Sequence, residues 1–167
     1  LTMTMVMGKL AGEMRGAAPA YYLNVPALLE RMRKAVDEQL WKTGGLALAI
    51  YRRAKAGWMR KRDGHARLSD SAWLAMANAA IFPTIRKKMI GDNLKALICG
   101  SAPLSLDTQL YFNMLGIPVL QVYGLTETAG ICTLDDPRRV EPGRVGPAIS
   151  GIEMKLGEND EIIVRGP

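Results

Sequence analysis

A single histidine, His65, stands in a chain of 167 residues, which leaves no room for a mechanism needing two imidazoles and argues against a zinc site. Cysteine is equally sparse. Cys99 and Cys132 lie far apart without CxxC spacing, so neither a metal knuckle nor a disulfide framework is suggested, and both read as reduced thiols of a cytoplasmic protein. No run approaches the roughly 18 apolar residues that a spanning helix requires; the longest, residues 44–50 and 72–82, are short or interrupted by polar groups. A basic segment followed by an apolar signal core is missing from the N-terminus, and there is no internal repeat or low-complexity tract. Acids are scarce in one place: residues 51–62 hold Arg52, Arg53, Lys55, Arg60, Lys61 and Arg62 and no Asp or Glu.

What is there is the composition of a packed domain, 49% hydrophobic and 23% charged, which excludes global disorder. The net charge of +6 favours anionic partners such as phosphates, nucleotides or an acidic membrane surface without choosing among them. The chain starts at Leu1 and stops at Pro167 directly after a strand-like run, so a piece of a larger protein is expected.

Residues 1–7 alternate Thr with apolar residues, either a short strand or extraneous sequence, and residues 9–16 carry helical spacing. Residues 20–25 are aromatic and β-branched and stop at Pro26, which suits the first turn of a helix over residues 27–41. Gly44-Gly45 breaks that helix. Further helices are predicted over 46–59, after a Ser69-Asp70 cap, and over 85–90. From Leu94 the texture changes. Residues 94–100 and 119–123 are short apolar runs, each closed by glycine, flanking a helical period over 104–115. Strand, helix, strand with short turns is a βαβ unit with parallel strands. After a Pro/Gly-rich stretch, residues 152–156 and 161–165 read as a β-hairpin. The fold class is therefore α/β: a parallel βαβ core, a basic helical insertion and a C-terminal hairpin.

In open α/β sheets ligands sit beyond the carboxyl ends of the strands. Two loops occupy those ends: Gly100, Ser101, Ala102 and Pro103 after the first run, and Tyr123 to Thr128 after the second. Glycine lets a flat ligand approach the backbone, a tyrosine ring can stack on a purine, Thr126 can bond a phosphate oxygen, and Glu127 can hold Mg²⁺. The same residues also suit a tight turn in which Thr126 caps a helix with Glu127 in its first turn.

The string VYGLTET, residues 122–128, resembles the signature of the adenylate-forming superfamily, which includes acyl-CoA synthetases, luciferases and peptide-synthetase adenylation domains. Residues 94–104 (LKALICGSAPL), 143–147 (GRVGP), 151–155 (GIEMK) and 161–167 (EIIVRGP) are similar to that family's neighbouring segments, in order, so the likeness covers residues 19–167. The stretch NVPALLERM at 24–32, the basic region from 46 to about 70, and FPTIRKK at 82–88 resemble long-chain fatty-acid CoA ligases more than compact acid ligases or adenylation domains. The organisation this implies is a partial adenylation domain over 1–167, with a helical region at 27–91, a nucleotide-site segment at 94–133 and a strand segment at 145–167.

The resemblance implies a two-step reaction in which ATP activates a fatty acid as acyl-AMP and CoA then displaces AMP. Carried over by position, Gly100, Ser101, Ala102 and Pro103 line the adenine and acyl pocket, and Gln121, Val122 and Tyr123 flank the adenine, with Tyr123 stacked on it. Gly124 and Leu125 face the acyl carboxylate, Thr126 contacts the α-phosphate, and Glu127 binds Mg²⁺. The implied partners are fatty acid, ATP and CoA, with room for a homo-oligomer. The family's phosphate loop, ribose-gripping Asp and C-terminal Lys are missing, so this stretch alone is expected to be inactive. His65, in the insertion, matches no family histidine. A rival reading makes residues 46–62, with Tyr51, Trp58 and Met59, a membrane-surface or partner-binding module, peripheral at the anionic inner face of a membrane; the plainer alternative is the solvated basic face of an ordinary helix. Nucleic acid is not expected, because no reader motif accompanies the basic stretch.

Overall fold

A computed structural model describes residues 19–166, so the readings placed on residues 1–7 and 9–16 lie outside the described residues. The described chain gathers into two compact units, one built from residues 30–94 and 114–116, the other from 21–29, 95–113 and 117–166.

The second unit holds the sheet. Strands β1 (Tyr21–Asn24), β2 (Ala96–Cys99) and β3 (Val119–Gln121) pair in parallel in the order β1-β2-β3. Their register sets Asn24 beside Cys99 and Cys99 beside Gln121. All three strands therefore end at the same edge. Ala96, Leu97, Cys99, Val119 and Leu120 are buried, the near-continuous apolar reading of strands covered on both faces. The crossover from β2 to β3 contains α5 (Leu106–Met114); the crossover from β1 to β2 contains α1 (Pro26–Thr43), α2 (Gly45–Arg62), α3 (Leu68–Ala80) and α4 (Phe82–Ile90).

The 119–123 run, expected as one strand, divides. Val122 N–H still donates to Cys99 O at 2.9 Å, whereas Tyr123 opens a second ribbon. There β4 (Tyr123–Leu125) pairs antiparallel with β5 (Gly130–Thr133), and Thr126–Thr128 form a single 3₁₀ turn between them. The hairpin of β6 (Glu153–Leu156) and β7 (Ile162–Arg165) is antiparallel, as its alternation predicts.

The first unit is helical. Small residues Ala54, Gly57 and Ala77 are fully or nearly buried, and a Cβ at Gly57 would stand 3.0 Å from Asp70 Cβ, so α2 and α3 pack closely there. Ile81, Phe82, Ile85, Met89 and Ile90 extend this core. The apolar stripe of α1 is only half-buried at Met32, Val36 and Leu40, which line an apolar groove of about 440 Å³ with Ile81, Ile85 and Met89.

The basic run folds as α2, and most of its cations have partners within the unit. Arg53 lies over the Trp73 ring at 4.5 Å and Arg52 over Trp41 at 5.4 Å. Arg62 pairs with Asp63 at 2.7 Å, and Arg60 forms a two-pronged bridge to buried Asp70. Asp70, expected in a capping pair with Ser69, stands three residues into the turn instead, where its Oδ2 accepts the Arg67 N–H at 2.9 Å. His65 is exposed in the turn after α2. Among the described residues, no helix is long and apolar enough to cross a membrane.

Candidate functional site

The carboxyl edge of the sheet is where the two singled-out loops emerge, from strands that are direct neighbours. Gly100 N–H donates to Asn24 O at 3.3 Å and so continues the β1–β2 ladder by one residue. A Cβ on Gly100 would stand 2.8 Å from Val122 Cγ2, so the two strand exits meet closely enough that any side chain at 100 would have to push the Val122 side chain aside. Ser101 then takes φ = 68°, a left-handed conformation that a non-glycine residue adopts at a cost, and it turns the chain sharply out of the sheet. Ser101, Ala102 and Pro103 are exposed. The loop is tied to the neighbouring strand by Leu104 N–H, which donates to the Gln121 Oε1 at 3.3 Å. The Gln121 side chain therefore fastens the two loops to each other.

On the second loop Tyr123 is half-buried, while Gly124, Leu125, Thr126 and Glu127 are exposed along the ribbon and its turn. The turn is held by Thr128, whose hydroxyl lies 2.9 Å from both the N–H and the carbonyl oxygen of Leu125, with Ala129 at φ = 56° closing it. Thr126 thus does not cap a longer helix: the turn ends after Thr128. Glu127 forms no ion pair among the described residues, and these contain no cluster of three His, Cys, Asp or Glu. One exposed carboxylate beside a hydroxyl is not a protein cage for a metal. It does suit Mg²⁺, which keeps several waters and takes further oxygens from phosphates. The donor set fits that ion.

Two polar side chains behind these loops carry no sequence signal beyond being polar in apolar surroundings. Gln109 of α5, 1% exposed, donates from Nε2 to Val119 O at 3.1 Å and accepts the Gly143 N–H on Oε1 at 2.7 Å. Thr133, 3% exposed, accepts the Tyr123 N–H at 3.0 Å and donates to Val145 O at 2.7 Å. Burial beside Gly100 also acts on Cys99, whose thiol is pushed up to about 11. Cys132 is buried as well. Because the thiolate is the reactive form, neither cysteine of the folded chain is expected to react appreciably with iodoacetamide at mildly alkaline pH, whereas denaturant should expose both. Rapid native labelling at Cys99, read by peptide mass, would contradict its enclosure in the sheet.

An open parallel sheet whose adjoining strands empty into a Gly-Ser bend and a Tyr-to-Glu bend is an α/β arrangement with its loops gathered at one end. Residues 5–167 match the family model for AMP-binding enzymes, and the chain belongs to that family. Its relatives are of the fatty-acid CoA ligase kind. Long chain acyl-CoA synthetase 8 of Arabidopsis thaliana is 32% identical over 150 residues, covering 87% of this chain and 20% of the relative. The long-chain-fatty-acid–CoA ligase ACSBG2 of Xenopus laevis is 27% identical over 162 residues, covering 92% of this chain and 21% of the relative. The crystal structure of the anthranilate CoA ligase AuaEII in complex with anthranoyl-AMP superimposes with a TM-score of 0.53 at 14% identity, over 96% of this chain and 24% of that one, a likeness of fold. The chain thus spans about a fifth to a quarter of the length of the proteins it matches.

Proposed function

We propose that this chain supplies the nucleotide-binding segment of an AMP-forming ligase that joins long-chain fatty acids to CoA. The observation that carries the reading is the meeting of two strand exits, Gly100 and Val122–Tyr123, at one sheet edge, with Gln121 fastening one loop to the other. The names of the relatives support the acyl substrate and the thiol acceptor.

In the first step a fatty-acid carboxylate oxygen attacks the α-phosphorus of ATP; the new O–P bond gives acyl-AMP, and pyrophosphate leaves with the bridging electron pair. In the second, the CoA sulfur attacks the acyl carbonyl, the thioester C–S bond forms, the thiol proton is lost, and AMP departs. No side chain here acts as nucleophile. The work is positioning and charge neutralisation. Gln121, Val122 and Tyr123 flank the adenine, with the Tyr123 ring stacked on it, and the Gly100–Pro103 bend lines the adenine and acyl pocket. Gly124 and Leu125 face the acyl carboxylate. Thr126 bonds the α-phosphate, and Glu127 would hold Mg²⁺. When bound, that ion offsets phosphate charge that would otherwise repel the incoming carboxylate.

Calorimetric titration tests this. The chain should bind AMP, and Tyr123→Ala should weaken binding about tenfold, because stacking a base on an aromatic ring contributes about 1–3 kcal/mol. Glu127→Gln should leave AMP affinity without metal nearly unchanged, but should erase any gain that Mg²⁺ gives to ATP. A chain that does not bind AMP, or a Tyr123→Ala variant that binds like the parent, would overturn the reading.

A further inference from the structure

We infer that Thr133 is a positioning residue of the nucleotide site: its hydroxyl fixes the Tyr123 backbone by clamping it to residues 143–147. This rests on the function proposed above and extends it to a side chain that touches no substrate.

The argument starts at the break between β3 and β4. Val122 N–H is committed to Cys99 O of the parallel sheet, and the next residue, Tyr123, pairs in a different sheet with Thr133. The chain changes partners across one peptide unit. At that place the β4–β5 ladder is irregular: Tyr123 faces Thr133 but Gly124 faces Ile131, so one residue of β5, Cys132, is skipped. The Tyr123 N–H is received by a side chain, the Thr133 Oγ1, at 3.0 Å. A hydroxyl has one proton to give, and Thr133 gives it to Val145 O at 2.7 Å. A single buried oxygen thus accepts from one segment and donates to another, and each bond orients the other.

The segment receiving that proton is itself anchored. Leu134 N–H donates to Pro147 O at 3.1 Å, Ile149 N–H to Cys132 O at 2.9 Å, and Gly143 N–H to Gln109 Oε1 at 2.7 Å, while the other end of the Gln109 amide holds Val119 O of β3. The connections form a closed path from β3 through Gln109, Gly143, Val145 and Thr133 to Tyr123. Hydrogen bonds alone join one segment to the next along it, and the backbone carries it from Gly143 to Val145 and closes it between Tyr123 and β3. The Tyr123 ring therefore owes the position of its Cα to two buried polar side chains, and shifting that Cα moves the ring and the Thr126–Glu127 turn that follows it.

Only a β-hydroxyl satisfies both bonds, so Thr133→Val and Thr133→Ser form the test. Valine keeps the branched shape that a strand prefers and removes both bonds; serine keeps them. AMP titration of the full chain should show Thr133→Val about tenfold weaker and Thr133→Ser within twofold of the parent. Amide hydrogen exchange should show the Tyr123 N–H exchanging at least about tenfold faster in Thr133→Val only. Unchanged AMP affinity in Thr133→Val, or equal losses in the valine and serine variants, would overturn the proposal while leaving the functional reading in place. Failure of the parent chain to bind AMP would overturn the reading and the proposal together. Should Thr133→Val not fold, Gln109→Met decides with the same two measurements: a loss of threefold or more with faster Tyr123 exchange supports the clamp, and parental behaviour overturns it.

Discussion

Gly124→Ala is expected to reduce AMP affinity by at least about 100-fold, equivalent to about 2.7 kcal/mol. Gly124 stands opposite Ile131, next to the irregularity in the β4–β5 ribbon. A Cβ at this position would overlap the Gly130 carbonyl oxygen and would stand 2.6 Å from the Gly130 carbonyl carbon and 2.8 Å from Ile131 Cα. These are backbone atoms of the partner strand, so no rotamer change relieves the clash and the two strands must separate. Separation breaks the ladder, pulls Tyr123 N–H from Thr133, and displaces Thr126 and Glu127 on the turn between the strands. The parallel sheet and its crossover helix α5, whose buried apolar residues lie in β2, β3 and α5, should survive, so amide protection at Leu97 and Ile98 should be retained while AMP binding is lost. Gly130→Ala is the comparison. Gly130 has φ = 129°, costly for any side chain, but a Cβ there meets nothing within 4 Å. Its variant should lose measurably less affinity than Gly124→Ala. Parental affinity in Gly124→Ala would remove the ribbon from the site.

The βαβ unit was legible because local rules and the tertiary outcome agree there: apolar runs of strand length, closed by Gly100 and Gly124, flank a helix of ordinary period. The hairpin at the C-terminal end was legible for the same reason. The division of 119–125 at Val122 was not, since Val, Leu, Gln, Val and Tyr all suit a strand and the change of partner is set by the hydrogen bonds that the Val122 and Tyr123 N–H groups donate to Cys99 and Thr133, distant in sequence. Gln109 and Thr133 escaped notice for a related reason. A buried amide or hydroxyl is recognisable only once its partners are known, and these partners are mostly backbone groups, which leave no trace in residue identity. The basic run at 51–62 shows the same limit: Trp41, Trp73, Asp63 and Asp70 take up four of its cations, and none of those pairings is implied by helical spacing within α2.

Asp70→Ala should be the most damaging single substitution in the helical unit, lowering its melting temperature by about 5–10 °C. Asp70 is buried, and its carboxylate receives both prongs of the Arg60 guanidinium and the Arg67 N–H at the start of α3. It also packs against the place where Gly57 lets α2 approach α3. Removing it leaves the Arg60 charge without its anion and the first turn of α3 without an acceptor, an asymmetry that makes breaking such a pair worse than never having it. The bridge to Arg60, followed by the Arg67 N–H, lowers the Asp70 carboxyl from its ordinary 3.8 to about 2. A carboxylate whose affinity for protons is depressed by folding stabilises the fold fully above its unfolded value, and that contribution fades as pH falls through the folded one. The Asp70 contribution is therefore complete above about pH 4 and lost towards about pH 2. Asp70→Asn, which keeps the volume but not the charge, should melt below the parent chain at neutral pH, and the gap should close as the pH drops from about 4 to about 2. Helical circular dichroism followed on heating at several pH values reads this directly. An equal gap at pH 7 and pH 2 would mean that the ionised carboxylate is not what Asp70 contributes, and no gap at either pH would leave packing against Gly57 as its role.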